Sequence, residues 1–283
     1  MKVYDRIRDR EHALAVLRTL LARGPVPYTP HPGEWDWWVD HADPGDELAA
    51  LVGPQALAEV AINHAEVTAF GLEIDDVIEL GRTQLPGVRF VVTKVSLADQ
   101  PRVDRLREAG FELERPPAHL FERSTAGARP RQLEGFEIRS MRGEHEHVAR
   151  ADAARLAFES ALEPEVHRAR YLRFMRSPGY VLDNDLVAVA PEGTIASFAI
   201  VWPDDALSLG QFEPVGTHPA FQRRGLARAL LHEGLGRLAA RGIGRARVMT
   251  GGANERAQRT YLDAGFELID RVAAFRAPAS FAR

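Results

Sequence analysis

The run from Thr217 to Leu231 leaves an apolar, strand-like segment, crosses a short loop bearing Arg and Gly, and enters an amphipathic helix. A loop that meets a helix in this way leaves backbone N–H groups unpaired at the positive end of the helix, where they can receive a phosphate. Gly225 and Ala227 carry little or no side chain, so a pyrophosphate could approach the main chain closely. Arg223, Arg224 and Arg228 set fixed positive charge around it. A Gly-bearing loop before a helix also serves as an ordinary strand-to-helix turn, so the rest of the chain has to decide.

The elements that must position this loop can be followed along the chain. Residues 3–8 read as a short strand. From Glu11 to Ala22, Leu14, Leu17, Leu20 and Leu21 form a helical stripe closed by Gly24 and Pro25. Three indoles follow at Trp35, Trp37 and Trp38, expected to pack over a core edge rather than to form a binding platform. Residues 48–74 read as strands broken at Gly53-Pro54 and Gly71. Arg89 to Val95 is an apolar strand, Gln100 to Ala109 a helix, and 110–113 the turn into another strand. Residues 124–134 lack periodicity and have loop-forming composition, so they are expected to link two domains, 1–123 and 135–283.

The second half opens with a strand from Phe136 to Met141. Helices are expected over about Glu146–Phe158 and Val166–Met175, joined by an acidic loop from Glu159 to Glu165. Leu186–Ala190 and Ile195–Val201 alternate like the arms of a hairpin. Leu207–Thr217 is the strand feeding the Arg/Gly loop, and the helix after it reaches Ala240. Arg247–Thr250 is a further strand, Asn254 starts a helix that Gly265 ends, and Phe266–Ile269 begins a last strand pair.

Gln222-x-x-Gly225-x-Ala227 resembles the acetyl-CoA signature, Q/R-x-x-G-x-G/A, of the GNAT superfamily of N-acetyltransferases. Asn254-x-x-Ala257-x-x-x-Tyr261-x-x-x-Gly265-Phe266 resembles that superfamily's second motif, and the element order over 136–283 is similar to that of its fold. The resemblance implies an α/β (α+β) architecture, a central mixed and mostly antiparallel sheet flanked by helices. A short repeat extends it, since Ala109–Leu113 has the same five residues as Ala264–Leu268. At that offset Leu106 stands where Tyr261 is, Asp99 where Asn254 is, and Phe70 where Gly225 is. No Q/R-x-x-G-x-G/A loop occurs in residues 1–130, so the N-terminal half is expected to be a second, degenerate GNAT-like domain without the cofactor site.

The resemblance implies roles. Acetyl-CoA would be the co-substrate, and the amine of a small molecule or peptide the acceptor. The strand before the loop would splay open so that the backbone of Val215, Gly216 and Thr217 pairs with the pantetheine arm. The amides of Gln222, Arg223, Arg224, Gly225, Leu226 and Ala227 would take the pyrophosphate. An N–H near Val215 would face the thioester carbonyl. Acetyl transfer to an amine also needs a base for the ammonium, whose pKa lies near 10, and a proton donor for the departing thiolate. Tyr261 is the candidate general acid, seven residues after Asn254 and on the same helix face. Asn254 is expected to cap that helix and to bond the pantetheine or thiolate region. Glu213, two residues before Val215 and so on the same strand face, is the candidate general base. His218 is expected to pack or face solvent. Glu159, Glu163 and Glu165, with Asp204 and Asp205, hint at a cationic amine.

Composition bounds the alternatives. A chain of 283 residues suits two domains, and 45% apolar with 27% charged residues is ordinary for a globular protein. A net charge of −4 argues against a nucleic-acid partner. Lys2 and Lys94 are the only lysines, and there is no cysteine for a disulfide, a thiolate metal site or a Cys nucleophile. Neither His145-Glu146-His147 nor His232-Glu233 continues into H-E-x-x-H, so no metal site is expected. There is no G-x-S-x-G elbow and no G-x-x-x-x-G-K-[ST] loop, and Gly242-x-Gly244 lacks the third Gly of a dinucleotide fingerprint. The first residues lack the apolar run of a signal peptide, and no stretch approaches the roughly 18 apolar residues of a membrane span. A cytoplasmic protein with no membrane partner is therefore expected. A non-catalytic acyl-CoA-binding or sensing protein, and an acyltransferase using a longer acyl-CoA, stay open as alternatives. The oligomeric state cannot be read from the sequence.

Overall fold

A single sheet runs through both halves of the computed structural model, which describes residues 2–3, 9–24, 28–41, 48–53 and 55–282. The first half holds β1 (Lys2–Val3), α1 (Arg10–Leu21), α2 (Pro32–His41), β2 (Leu48–Val52), β3 (Leu57–Ala61) and β4 (Glu66–Phe70). It continues with α3 (Ile74–Gln84), β5 (Val91–Ser96), α4 (Gln100–Glu108), β6 (Glu112–Leu113) and β7 (Ala118–Ser124). The second half holds β8 (Glu137–Ser140), α5 (His147–Ala157), α6 (Pro164–Met175), β9 (Asp185–Val189), β10 (Ile195–Asp204) and β11 (Leu209–Thr217). It ends with α7 (Leu226–Ala240), β12 (Arg245–Thr250), α8 (Glu255–Asp263) and β13 (Glu267–Arg276). Of the strand expected over 3–8, residues 4–8 lie outside the described ones.

The strand order is β1-β2-β3-β4-β5-β13-β7-β12-β11-β10-β9-β8, with β6 also beside β13. Among the described residues two neighbouring pairs are parallel, β4 with β5 and β11 with β12. Each is joined by a helical crossover, α3 in one half and α7 in the other, as parallel neighbours require. The architecture is thus mixed α/β with a mostly antiparallel sheet flanked by helices.

The five-residue repeat marks a shared helix stop. Gly110 and Gly265 have φ of 82° and 83°, the left-handed conformation that closes a helix at little cost to glycine. After them the Phe111 N–H donates to the Leu106 carbonyl at 2.9 Å, and the Phe266 N–H to the Tyr261 carbonyl at 3.0 Å. At the other helix end, Asp99 Oδ1 accepts from the Arg102 N–H at 3.3 Å, and Asn254 Oδ1 from the Ala257 N–H at 3.1 Å. The two halves differ where strand passes to crossover helix: Gly71 to Glu73 joins β4 to α3, while a much longer loop joins β11 to α7.

The sheet does not part at residues 124–134. β7, which precedes them, lies between β12 and β13, with Phe121 opposite Val248 on one edge and Leu268 on the other. β13 in turn pairs with β5, Val272 opposite Ser96 and Ala273 opposite Val95. The expected last strand pair is corrected accordingly. Residues 267–276 are one strand with no internal turn, running until Ala277-Pro278, and its neighbours come from the first half.

Apolar stripes explain the layers. On α7 the buried residues Leu226, Leu230, Leu231, Leu235 and Leu238 recur at helical spacing and cover β10 to β12. At Gly234 a Cβ would lie 2.4 Å from the Phe212 ring, so glycine lets this helix approach the sheet. On the opposite side α1 and α2 place Leu17, Leu20 and Trp35 with Leu120 and Val272 at the junction of the halves. Trp37 meets Phe174 of α6 edge-on at 4.6 Å, so two of the three indoles pack as expected. The third is engaged elsewhere.

Candidate functional site

Parallel pairing of β11 with β12 runs from Leu209 opposite Arg245 to Phe212 opposite Val248 and stops there. Both strands continue, β11 to Thr217 and β12 to Thr250, so a wedge opens between them. Beyond Phe212, β11 keeps β10 as its strand neighbour, with Val215, Gly216 and Thr217 opposite Ala199, Phe198 and Ser197. Glu213 and Pro214, joined by a cis peptide, together oppose Ile200 as a bulge at the point where the wedge begins. The free edge of 213–217 is a place where an extended chain can add as a strand.

At the mouth of the wedge lies the Arg/Gly loop. His218 Nδ1 accepts from the Ala220 N–H at 3.1 Å and its ring meets Phe221 edge-on, so it caps a short 3₁₀ turn. Arg223 and Gly225 then take left-handed φ of 62° and 78° before α7 starts at Leu226. Among the described residues, the N–H groups of Arg223, Arg224, Gly225, Leu226 and Ala227 have no backbone acceptor. A Cβ at Gly225 would meet nothing within 4 Å, so the space over these amides is open. Arg223, Arg224, Arg228 and Arg256 form no ion pair among the described residues, while Arg256 donates to Gln222 Oε1. Unbonded amides at a helix start, open space and unneutralised guanidiniums fit a pyrophosphate.

Tyr261 and Asn254 sit on α8 beside the wedge. The Tyr261 ring is buried against Phe121 at 5.8 Å and Phe266 at 6.3 Å. Burial, and then the charge of Glu213, hold its phenol well above the ordinary range, so it stays protonated and able to donate. Asn254 is exposed, and its Oδ1 serves the helix cap described above.

The expectation that Glu213 and Val215 share a strand face is corrected, because the bulge breaks the alternation. Val215 falls on the face of Phe212 under α7, and Glu213 points the other way, toward α2. Its Oε1 accepts from Trp38 Nε1 at 3.4 Å, while Oε2 is closed to solvent without a partner. Burial and then the charge of Glu34 push its carboxyl up to about 8, with Lys94 opposing the rise. Glu34, buried in α2, accepts from the Tyr28 hydroxyl and lies 3.7 Å from Lys94 Nζ. The same ammonium stands 4.0 Å from the centroid of the Trp38 ring. Sequence reading did not find Tyr28, Glu34, Trp38 and Lys94. The signal available was a lysine inside an apolar strand, Val91 to Val95, where a buried charge demands a partner.

Of the acidic residues that hint at a cationic amine, Asp204 and Asp205 are each paired with an arginine. Asp204 is buried and pairs with Arg18 of α1 at 2.7 Å, and Asp205 pairs with Arg241 at 2.6 Å. Both stand where β10 turns into β11, the far end of that strand from Val215, and Asp204 Oδ1 also accepts from the Leu207 N–H of the turn at 3.1 Å. Glu159, Glu163 and Glu165 remain exposed on the α5–α6 connection, Glu165 lying 3.6 Å from Arg168.

Comparison with known proteins agrees with this geometry. The sequence profile of the Acetyltransferase (GNAT) family matches residues 151–266. No curated protein matches the chain by sequence. Among solved structures, a GCN5-related N-acetyltransferase from Sphaerobacter thermophilus is 18% identical, with a TM-score of 0.65 over 98% of this chain and 95% of the other. A tandem GNAT protein from the clavulanic acid biosynthesis pathway, solved without AcCoA, is 15% identical, with a TM-score of 0.69 over 98% and 97% of the two chains. A GNAT-family acetyltransferase from Colwellia psychrerythraea is 13% identical, with a TM-score of 0.62 over 98% and 99%. Among the described residues no helix is long and apolar enough to cross a membrane. Residues 151–266 thus match the acetyltransferase (GNAT) family model, and over nearly its whole length the chain has a fold similar to that of a tandem GNAT protein.

Proposed function

We propose that the protein transfers an acetyl group from acetyl-CoA to the primary amine of a small molecule or peptide. The observation that carries this reading is the open β11–β12 wedge with unbonded amides at its mouth. In this reading the edge at Val215 to Thr217 holds the pantetheine arm, the amides of Arg223 to Ala227 hold the pyrophosphate, and the Val215 N–H faces the carbonyl oxygen. The Gln222 N–H, expected to join them, is taken by the Pro219 carbonyl at 3.4 Å. Glu213 receives the ammonium proton and Tyr261 gives one to the departing thiolate. A base whose pKa is about 8 is mostly protonated at neutral pH. The rate is therefore expected to rise with pH through about 8 and then level.

A calorimetric titration with acetyl-CoA, followed by thiol release over a panel of amines, tests the proposal. The chain has no cysteine, so released thiol is read without background from the protein. One site per chain and amine-dependent release are expected. Binding without release for any amine would leave a non-catalytic acyl-CoA binder, and faster release from a longer acyl-CoA would change the donor. No binding would remove the reading altogether.

A further inference from the structure

Lys94 occupies an unusual backbone position. Its φ is 59°, and the β5–β13 register slips between Ala273 and Phe275, so that Thr93 and Lys94 share the place opposite Ala274. A left-handed bulge residue is ordinarily glycine, and a long side chain there is strained unless its surroundings hold it. What holds this one is the ammonium site: Glu34 Oε1 at 3.7 Å, the Trp38 ring at 4.0 Å and the Tyr28 ring at 5.9 Å. Trp38 in turn donates to Glu213. All of these partners except Glu213 precede residue 124, outside the segment that matches the family.

We propose that Lys94 and Glu34 are positioning residues for Glu213, through which the N-terminal half sets the charge and orientation of the base in the C-terminal half. The proposal rests on Glu213 acting as that base. The groups that interact with it are Tyr28 before α2, Glu34 and Trp38 on α2, Lys94 on β5, Gln211 on β11 and Tyr261 on α8, while Arg247 on β12 acts on Tyr28 and Glu34. Arg247 is committed to Glu122 of β7 at 2.8 Å, which leaves Lys94 as the cation serving the two carboxylates. Two carboxylates beside one ammonium, Glu34 buried and Glu213 with Oε2 closed to solvent, disfavour ionising together. Lys94 therefore favours the ionised pair, Glu34 competes with Glu213 for the charge, and the Trp38 N–H aims the carboxylate.

Two measurements separate this from a purely structural role. In the first, kcat/KM for thiol release is followed against pH. Lys94→Met should move the half-maximal pH up by about one unit, close to a tenfold loss at neutral pH, and Glu34→Gln should move it down by a similar amount. Lys94→Arg, which keeps charge and ring contact, should restore most of the profile. Lower rates with an unmoved profile in both Lys94→Met and Glu34→Gln would overturn the proposal. The second needs no turnover: NMR of protein carrying ¹³C-labelled lysine, which has only Lys2 and Lys94 to report. The Lys94 signal should sense the ionisation of Glu213 as a step near pH 8 that is missing in Glu213→Gln. An identical pH course in both proteins would overturn the coupling even if acetyl transfer is found. A step that vanishes as expected, in a protein that acetylates no amine, would support the coupling and defeat the assignment of the reaction.

Discussion

A phenol that protonates a thiolate must reach the site still carrying its proton, and the burial of Tyr261 beside Glu213 holds it in that form. Tyr261→Phe keeps the packing against Phe121 and Phe266 while removing the hydroxyl. It is expected to lower kcat by about 10²–10⁴ with acetyl-CoA binding unchanged by calorimetry. Glu213 also leaves a mark on stability. Its carboxyl rises from 4.5 to about 8 in the fold, so between those values the unfolded chain has lost a proton that the native protein keeps. Stability should therefore fall as pH rises across that window. Glu213→Gln should flatten the slope, which thermal melts from pH 5 to 8 would read, and parallel melting curves would contradict it.

The loop from Thr217 to α7 is where sequence and structure agree most closely, because its conformation is written in residue types. Gly225 takes φ of 78°, where a side chain costs about 1–2 kcal/mol, yet finds empty space above it. Gly225→Ala should lower Tm by a few degrees and weaken acetyl-CoA binding by more than that loss explains, measured by calorimetry. Equal, small effects on both would mean the loop does not hold the pyrophosphate. The helix stops at Gly110 and Gly265 and the cap at Asn254 were equally legible, each being a local bond made by residues a few positions apart. Three features were not. The stripe of α3, Ile74, Val77 and Ile78, is too short to stand out before its glycine. β7 carries polar residues at Glu122 and Arg123 because its neighbours supply partners, such as Arg247 for Glu122, from more than a hundred residues away. The surroundings of Glu213 are likewise distant in sequence, and no spacing rule joins Glu34 and Lys94 to β11.

At the scale of the whole molecule, the halves are interlocked. β7 of the first half separates β12 from β13, and β13 completes the first half by pairing with β5. The buried Ala273 and Phe275 of β13 belong to the N-terminal core, and Leu120 of β7 to the core between the halves. The full chain is therefore expected to melt in one calorimetric transition. Residues 125–283 expressed alone, lacking β7, should bind no acetyl-CoA. Two resolved transitions, or a truncated chain that binds normally, would refute this. The same interlock bears on synthesis at the ribosome. β5 emerges long before β13 and must wait, with its edge bare, until that strand has been made. The first half cannot close until β13 has been made, and the waiting edge is where a nascent chain most needs a chaperone.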